Sequence, residues 1–479
     1  MITLIEAADW AVAWDQAEDR HVYRRSVDIA FEADKILHVG PGYTGPRDDV
    51  IDGRGLMIMP GLVNIHSHPL SEPMNQGFLD EAGSQGLYQS SLYEYMPIHR
   101  PDLEGMRACA EKGIAELLLS GVTTLVDLSV PYDGWEEIVE RSGIRGVLAP
   151  MFRSAAWFTR NGHVVEYDWS GDDGQEAMGA ALALIDNIGS HPRLTGMVAP
   201  SQIDTCSPDL IRAAYAAAAE RGLPFQIHAA QSVVEFHEIT RRHGVTPVQW
   251  LDSLDVLGPT TILGHGIFLD EHPWVHWPGS SDLARLAETG TAVAHCPTVF
   301  QRRGITLRTL GRYLRDGVRV GLGTDTYPHN MLEEMRTAAY LSRVTSGFAS
   351  DVTTRAVFEA VTRTGSALLG RDDIGRLAPG ARADLVAVDL ERPQMKPLRD
   401  PLKSLIYVAA ERAVRDVWVA GQQVVSGGHC LTLDLDTAAE RVSAAQARAQ
   451  SKIPQLHHAN LTGWDIAPPV VDFAPGEGP

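Results

Sequence analysis

The sequence predicts an α/β protein: a closed (β/α)8 TIM barrel with a small β-sandwich built from both chain ends. Three observations predict it. Short apolar runs alternate with helical stretches eight times over roughly residues 57 to 370, the pattern of buried parallel strands joined by crossover helices. Several of these runs end in histidine or aspartate, and a barrel gathers its chemistry at the carboxyl ends of its strands. Outside that region, strand-like alternation occurs near the two ends of the chain, so the ends are expected to share one sandwich.

Taken in order, Val27-Asp28-Ile29-Ala30-Phe31-Glu32 and Ile36-Leu37-His38-Val39 flank Ala33-Asp34-Lys35 as a hairpin. The apolar run 57–63 opens the barrel and leads through Pro60-Gly61-Leu62-Val63-Asn64-Ile65-His66-Ser67-His68-Pro69. Residues i and i+2 of a strand point to one side, so His66 and His68 can address one point. Neutral imidazoles suit zinc, iron, cobalt or nickel, and two of them make half a metal site. By itself such spacing more often marks a solvated loop or a packed core pair. Position decides between these readings. Runs 124–128, 144–151 and 194–199 supply strands two to four. Strands five and six are Pro224-Phe225-Gln226-Ile227-His228 and Thr261-Ile262-Leu263-Gly264-His265. Ala292-Val293-Ala294-His295-Cys296-Pro297 and Val318-Arg319-Val320-Gly321-Leu322-Gly323-Thr324-Asp325 follow as seven and eight. Intervening helices are predicted at 210–221 and 283–289. Independent core histidines have no reason to collect at strand ends, so this distribution favours a metal. After the barrel, 414–425 reads as a second hairpin, 437–450 as an Ala-rich helix, and 454–479 as a Pro- and Gly-rich tail that wraps a neighbour or stays loose. The expected units are residues 1–56, 57–374, 375–435 and 436–479.

Composition bounds the function. The chain has 479 residues, 44% hydrophobic, with no apolar run long enough to span a bilayer. The start Met1-Ile2-Thr3-Leu4-Ile5-Glu6 lacks the basic segment and long apolar core of a signal peptide. Cys109, Cys206, Cys296 and Cys430 are widely spaced, as suits reduced thiols in a cytoplasmic protein better than a disulfide framework. A net charge of -20 disfavours nucleic acid or an anionic membrane as partner. A small-molecule substrate and a homo-oligomeric state are expected.

The motif around His66 and His68 resembles the amidohydrolase superfamily, in the branch holding cytosine and guanine deaminases and s-triazine hydrolases. Val198-Ala199-Pro200 with Thr205-Cys206-Ser207-Pro208 resembles that family's fourth-strand loop, and Gly321-Leu322-Gly323-Thr324-Asp325 its eighth strand. Gly375-Arg376-Leu377-Ala378-Pro379-Gly380-Ala381-Arg382-Ala383-Asp384-Leu385-Val386 resembles its return into a small β-sandwich, so the likeness spans nearly the whole chain. It implies His66, His68, His228 and Asp325 as ligands of a divalent metal. Such a metal lowers the pKa of its water to ~7 and supplies hydroxide at neutral pH. Asp325, by resemblance, both binds weakly and moves the water's proton to the leaving group. His265 is placed to orient the hydroxide or polarise the attacked carbonyl. His295 supports the site from behind, or is a hydrogen-bonded core histidine beside Cys296. The fourth strand, 194–201, contains no lysine to bridge two ions, so one metal per chain is expected, zinc first, with iron, cobalt or manganese as alternatives.

Departures from the family pattern narrow the reaction. Deaminases of this branch carry a proton-shuttling glutamate three residues after the fifth-strand histidine, whereas His228-Ala229-Ala230-Gln231 carries glutamine. An amide cannot shuttle a proton near neutral pH, although it can hold a substrate. Ser201 stands where many deaminases have histidine, and Pro297-Thr298-Val299-Phe300-Gln301 replaces a small polar run. A hydrolase attacking an amide, urea or (thio)carbamate carbonyl needs no ring nitrogen protonated, and that chemistry is preferred. The alternative is a heteroaromatic deaminase or dechlorinase in which Glu235, one turn beyond Gln231, replaces the shuttle. A catalytically silent scaffold is disfavoured by the retained His66, His68, His228, His265 and Asp325. Tyr93 within 88–96, with Trp157 and Phe158, lines an aromatic-accepting pocket or packs barrel loops. His329 either touches substrate or stabilises its loop.

Overall fold

The computed structural model describes residues 1–169, 171–474 and 476. Eight runs of parallel strand form the barrel. Leu62–Ser67, Val122–Ser129, Arg145–Phe152 and Leu194–Gly196 pair in sequence order, with Ala199–Pro200 extending the fourth. Phe225–Ala229, Thr261–His265, Ala292–His295 and Val320–Leu322 form the second half. Both seams close. Asp325 N donates to His66 O and His68 N to Asp325 O, each at 2.9 Å, while Gln226 N donates to Val198 O at 3.0 Å and His228 N to Ser201 O at 3.1 Å. Alternation follows the pleat. Val126, Leu128, Val147, Ala149, Met197, Ala199, Ala292 and Ala294 form the inner apolar cluster. Their neighbours Leu125, Leu148, Val198, Leu263 and Val293 pack outward with helix residues such as Leu210, Ile211 and Phe236. The predicted helices are present as Pro208–Arg221 and Asp282–Thr289. Each begins at a serine and ends in a glycine, Gly222 or Gly290, with positive φ, the usual helix stop.

The run 57–63 divides. Leu56–Pro60 pairs with Leu385–Asp389 and with the first strand of the chain, Ile2–Asp15, and the barrel itself starts at Leu62. One apolar stretch therefore serves two sheets, which periodicity alone does not reveal. The expected hairpins are Arg20–Glu32 with Lys35–Gly40, and Val414–Val419 with Gln422–Ser426. These strands belong to one nine-stranded sheet containing both chain ends. It curls on itself: Phe31 and Trp418, on strands four places apart in the sheet, have ring centroids 6.3 Å apart. A buried ion pair ties sheet to barrel, with Arg145 Nη2 2.8 Å from Asp384 Oδ1 and Nε 3.0 Å from Oδ2.

Helix Leu435–Gln450 lies along Leu103–Leu119. Val442, Ala445 and Ala449 pack with Met74, Ala108 and Cys109, and Arg448 reaches Asp102 at 2.7 Å. Ile453 then joins Phe78, Leu79 and Ala82. The tail from 454 to 467 thus packs on its own chain, on the connection that follows the first barrel strand. The last of the expected Pro- and Gly-rich segment, residues 475 and 477–479, lies outside the described residues. Among the described residues no helix is long and apolar enough to cross a membrane.

Candidate metal centre

His66 ends the first barrel strand, His68 follows it, His228 and His265 end the fifth and sixth, and Asp325 follows the eighth. The structure brings all five together. His68 Nε2 lies 3.2 Å from His228 Nε2. Asp325 Oδ1 is 3.3 Å from His68 Nε2 and 3.5 Å from His66 Nε2, and its Oδ2 is 4.0 Å from His265 Nε2. Within two overlapping sets, His66, His228, His265 and His66, His68, Asp325, the ligand-type atoms all lie within 4.8 Å of one another.

The other ring nitrogens explain the orientation. Nδ1 of His66 donates to Gln226 Oε1 at 2.5 Å, Nδ1 of His68 to Leu128 O at 2.6 Å, and Nδ1 of His228 to Ser201 O at 2.6 Å. All three acceptors are carbonyl oxygens, so Nδ1 carries the proton and Nε2 presents a lone pair to the shared space. His66 Nε2 is buried with no hydrogen-bond partner. Convergent lone pairs beside a carboxylate fit one divalent metal with nitrogen and oxygen ligands. Gln226 is itself fixed, because its Nε2 donates to Ile65 O at 3.1 Å.

Close packing makes room for this set. A Cβ on Gly323 would sit 2.6 Å from His66 Cβ and one on Gly264 would sit 3.0 Å from His66 Cε1, so Gly323 admits the imidazole only as glycine and Gly264 packs tightly against it. Asp325 and His265 have φ of 56° and 83°. Non-glycine residues held in that left-handed region mark functional sites more often than ordinary loops. Burial pushes His68 down to about 4 and His265 to about 3, keeping both imidazoles neutral. For Asp325, burial acts upward, but His265, His66 and His68 outweigh it and hold the carboxyl well below its usual range.

The remaining expected residues divide. Gln231, 5% exposed, follows the strand bearing His228 and has an unpartnered Nε2. Glu235 is turned elsewhere: its carboxylate accepts from Ala230 N at 2.5 Å and, more weakly, Gln231 N at 3.4 Å. It caps the loop backbone, and its burial, with Asp204 nearby, raises its pKa well above the ordinary value. His295 is buried beside His265, with Nδ1 unpartnered and a pKa pushed down to about 3 by burial. His329 is fully buried against Leu103–Leu119, with Nδ1 3.8 Å from Glu116 Oε2, a packing that supports its loop. Tyr93 and Trp157 meet edge to face at 5.0 Å. Their polar ends are bound internally, Tyr93 Oη with Ser232 Oγ at 2.7 Å and Trp157 Nε1 donating to Asp204 Oδ2 at 2.9 Å.

Sequence reasoning missed Gln226 and Asn64. Asn64 Oδ1 accepts from His66 N and Thr324 N, both at 3.2 Å, joining the first and eighth strands. Both residues stand two positions before a site histidine in their strands, and that period-two signal could have found them. Glu72 was also missed. It is 4% exposed, and burial together with the charge of Asp325 pushes its carboxyl up to about 7.

Comparison with known proteins agrees with this geometry. The model of the amidohydrolase family matches residues 57–424. The chain is 29% identical over 441 residues to a 5-methylthioadenosine/S-adenosylhomocysteine deaminase of Pelotomaculum thermopropionicum, covering 89% of this chain and 94% of that one. A protein of the same name from Nitratidesulfovibrio vulgaris (strain DP4) is 30% identical over 413 residues, covering 84% and 87%. Among solved structures, a zinc complex of atrazine chlorohydrolase from Arthrobacter aurescens superposes with a TM-score of 0.77 at 22% identity, covering 93% of this chain and all of that one. A zinc-bound adenosine deaminase from Xanthomonas campestris gives 0.78 at 23% identity, covering 94% and 98%. The chain is an enzyme of the amidohydrolase family.

Proposed function

We propose that the enzyme hydrolyses an amide, urea or (thio)carbamate small molecule, with His66, His68, His228 and Asp325 holding one divalent ion, zinc in the first instance. When bound, that ion supplies a Lewis acid and acidifies a water for attack at neutral pH. Asp325 accepts the attacking water's proton and passes it to the departing nitrogen. The neutral ring of His265 orients the water or donates to the attacked oxygen. The unpartnered amide of Gln231 holds the substrate's carbonyl side by hydrogen bonding. His295 supports His265 from behind. Four unpaired cysteines suit a cytoplasmic location.

One observation carries the choice of substrate class. The residue three positions after His228, where a proton shuttle would stand, is a non-titratable amide, and the Glu235 carboxyl is engaged by backbone N–H groups. A reaction needing a ring nitrogen protonated lacks its shuttle, whereas attack on a linear carbonyl does not need one. The second reading, a heteroaromatic deaminase or dechlorinase, draws on the deaminase names of the relatives. Gln231→Glu separates the two. A negative charge added near the attacking water raises that water's pKa, so turnover of ureas, carbamates and amides is expected to stay level or fall. Product analysis by mass spectrometry over those classes, aminopurines and aminotriazines reads the result. If Gln231→Glu turns over an aminopurine or aminotriazine faster than every linear carbonyl substrate, the second reading replaces the first.

A further inference from the structure

Where the outer sheet meets the barrel helices there is a cavity of about 770 Å³ that includes no residue of the metal centre. Arg20 and Tyr23 come to it from the strand Arg20–Glu32, Arg343 from helix Met331–Ser346, Arg355 from Thr354–Ala360, and Lys403 and Tyr407 from the C-terminal half. In a chain with 61 acidic and 41 basic residues, four cations collect here with Asp400 as the one carboxylate in the lining. Asp400 is already engaged, accepting from Tyr23 Oη at 2.7 Å and from Lys403 N at 3.2 Å.

The cations lack close counter-ions. Arg20 is 3.9 Å from Glu18, Arg355 3.9 Å from Glu359 and Lys403 3.8 Å from Asp400. Arg343 forms no ion pair within 4.0 Å among the described residues. Its Nη2 donates to Tyr407 Oη at 2.8 Å and Val352 O at 3.2 Å, and its buried Nε has no partner. By contrast, Arg448 pairs with Asp102 at 2.7 Å. Guanidinium forks match phosphate or carboxylate oxygens in pairs. Tyr23, Tyr407 and Phe358 add flat apolar surface to the same cavity, and its volume falls within the range of sites for drug-sized ligands.

We propose that this cavity binds an organic polyanion of nucleotide size, a planar body carrying phosphate or carboxylate groups, at a site separate from the metal centre. The inference is independent of the substrate class assigned above. Calorimetric titration of the metal-loaded enzyme with ATP, pyrophosphate and adenosine tests it. The double variant Arg355→Ala/Lys403→Ala removes two exposed side chains outside the catalytic set, so it folds and retains turnover. ATP is expected to bind the wild type and to bind this variant about tenfold or more weakly. Raising salt from about 50 to about 300 mM is expected to weaken ATP binding further, as ionic contacts at an open cavity are screened. Pyrophosphate is expected to bind about tenfold more weakly than ATP, because it has no planar body to place against the tyrosines. Adenosine, which has no charge, is expected to show the same affinity for both proteins. Equal ATP affinity in wild type and variant, or no binding by ATP, overturns the site. Pyrophosphate binding as tightly as ATP overturns the organic part of the assignment.

Discussion

The residues of the metal centre sit at or just beyond barrel-strand ends, whereas Tyr93, Trp157, Gln231 and His329 sit on the segments between barrel strands and helices, Trp157 in the short strand Ala156–Phe158, and the two groups are held differently. The strand-end group is placed by register and backbone: two seam hydrogen bonds at 2.9 Å fix Asp325 against His66 and His68, and three carbonyl acceptors fix the rings. The connecting group is placed by side-chain packing, and most of its polar ends face inward. Gln231 and His329 differ from the two aromatics: the Gln231 amide nitrogen and both His329 ring nitrogens have no hydrogen-bond partner. Under the proposed function, strand ends set which chemistry is available, and a single loop position, 231, sets which substrates can use it.

The largest expected effect tests the strand-end group. Asp325→Asn keeps shape and weak coordination but removes the proton acceptor, so turnover is expected to fall ~10²-fold or more. Metal content, read by elemental analysis, should largely survive. Wild-type turnover in this variant would remove Asp325 from proton transfer.

Gln226 tests whether orientation matters as much as ligation. Gln226→Leu keeps the side chain's bulk but deletes the acceptor for His66 Nδ1–H, leaving the ring free to turn or change tautomer. Loss of such an orienting partner typically weakens metal binding ~10–100-fold. Metal titration is expected to show near one equivalent bound by the wild type and that loss of affinity in the variant. Two tightly held ions per chain would contradict the lysine-free site, and unchanged affinity would make Gln226 a packing residue.

What could be read in the sequence follows the same division. His66, His68, His228, His265 and Asp325 were legible because strand periodicity and barrel topology jointly dictate where strand ends point. Leu56–Pro60 was misplaced because one apolar run feeds two sheets, and hydropathy does not mark the change at Gly61. The packing of 435–467 on its own chain rests on contacts such as Ile453 with Phe78 and Arg448 with Asp102, hundreds of residues apart in sequence. Local pattern carries no record of such pairings. Glu235 shows the same limit: helix Val233–His243 begins after Gln231, so the two share no helix face, and the direction of the Glu235 carboxylate depends on loop N–H groups that only the folded backbone brings into place.

The smallest expected effect concerns Tyr93, where the two roles open to a loop aromatic lead to different measurements. Its hydroxyl meets Ser232 Oγ, which also caps helix Val233–His243 by accepting from Glu235 N at 3.0 Å. Tyr93→Phe keeps the edge contact with Trp157 and removes one hydrogen bond at a residue only 1% exposed. Stability should fall by about 1 kcal/mol in denaturant unfolding, the usual net worth of a buried hydrogen bond. Because the hydroxyl is engaged by the protein, KM and kcat are each expected to stay within about twofold of wild type, a change below ~0.5 kcal/mol. A KM rise of about tenfold with kcat and stability unchanged would instead mean that the hydroxyl leaves Ser232 to bind substrate. The connecting residues would then join the strand ends in defining the reaction, and the division between the two groups would fail at this position.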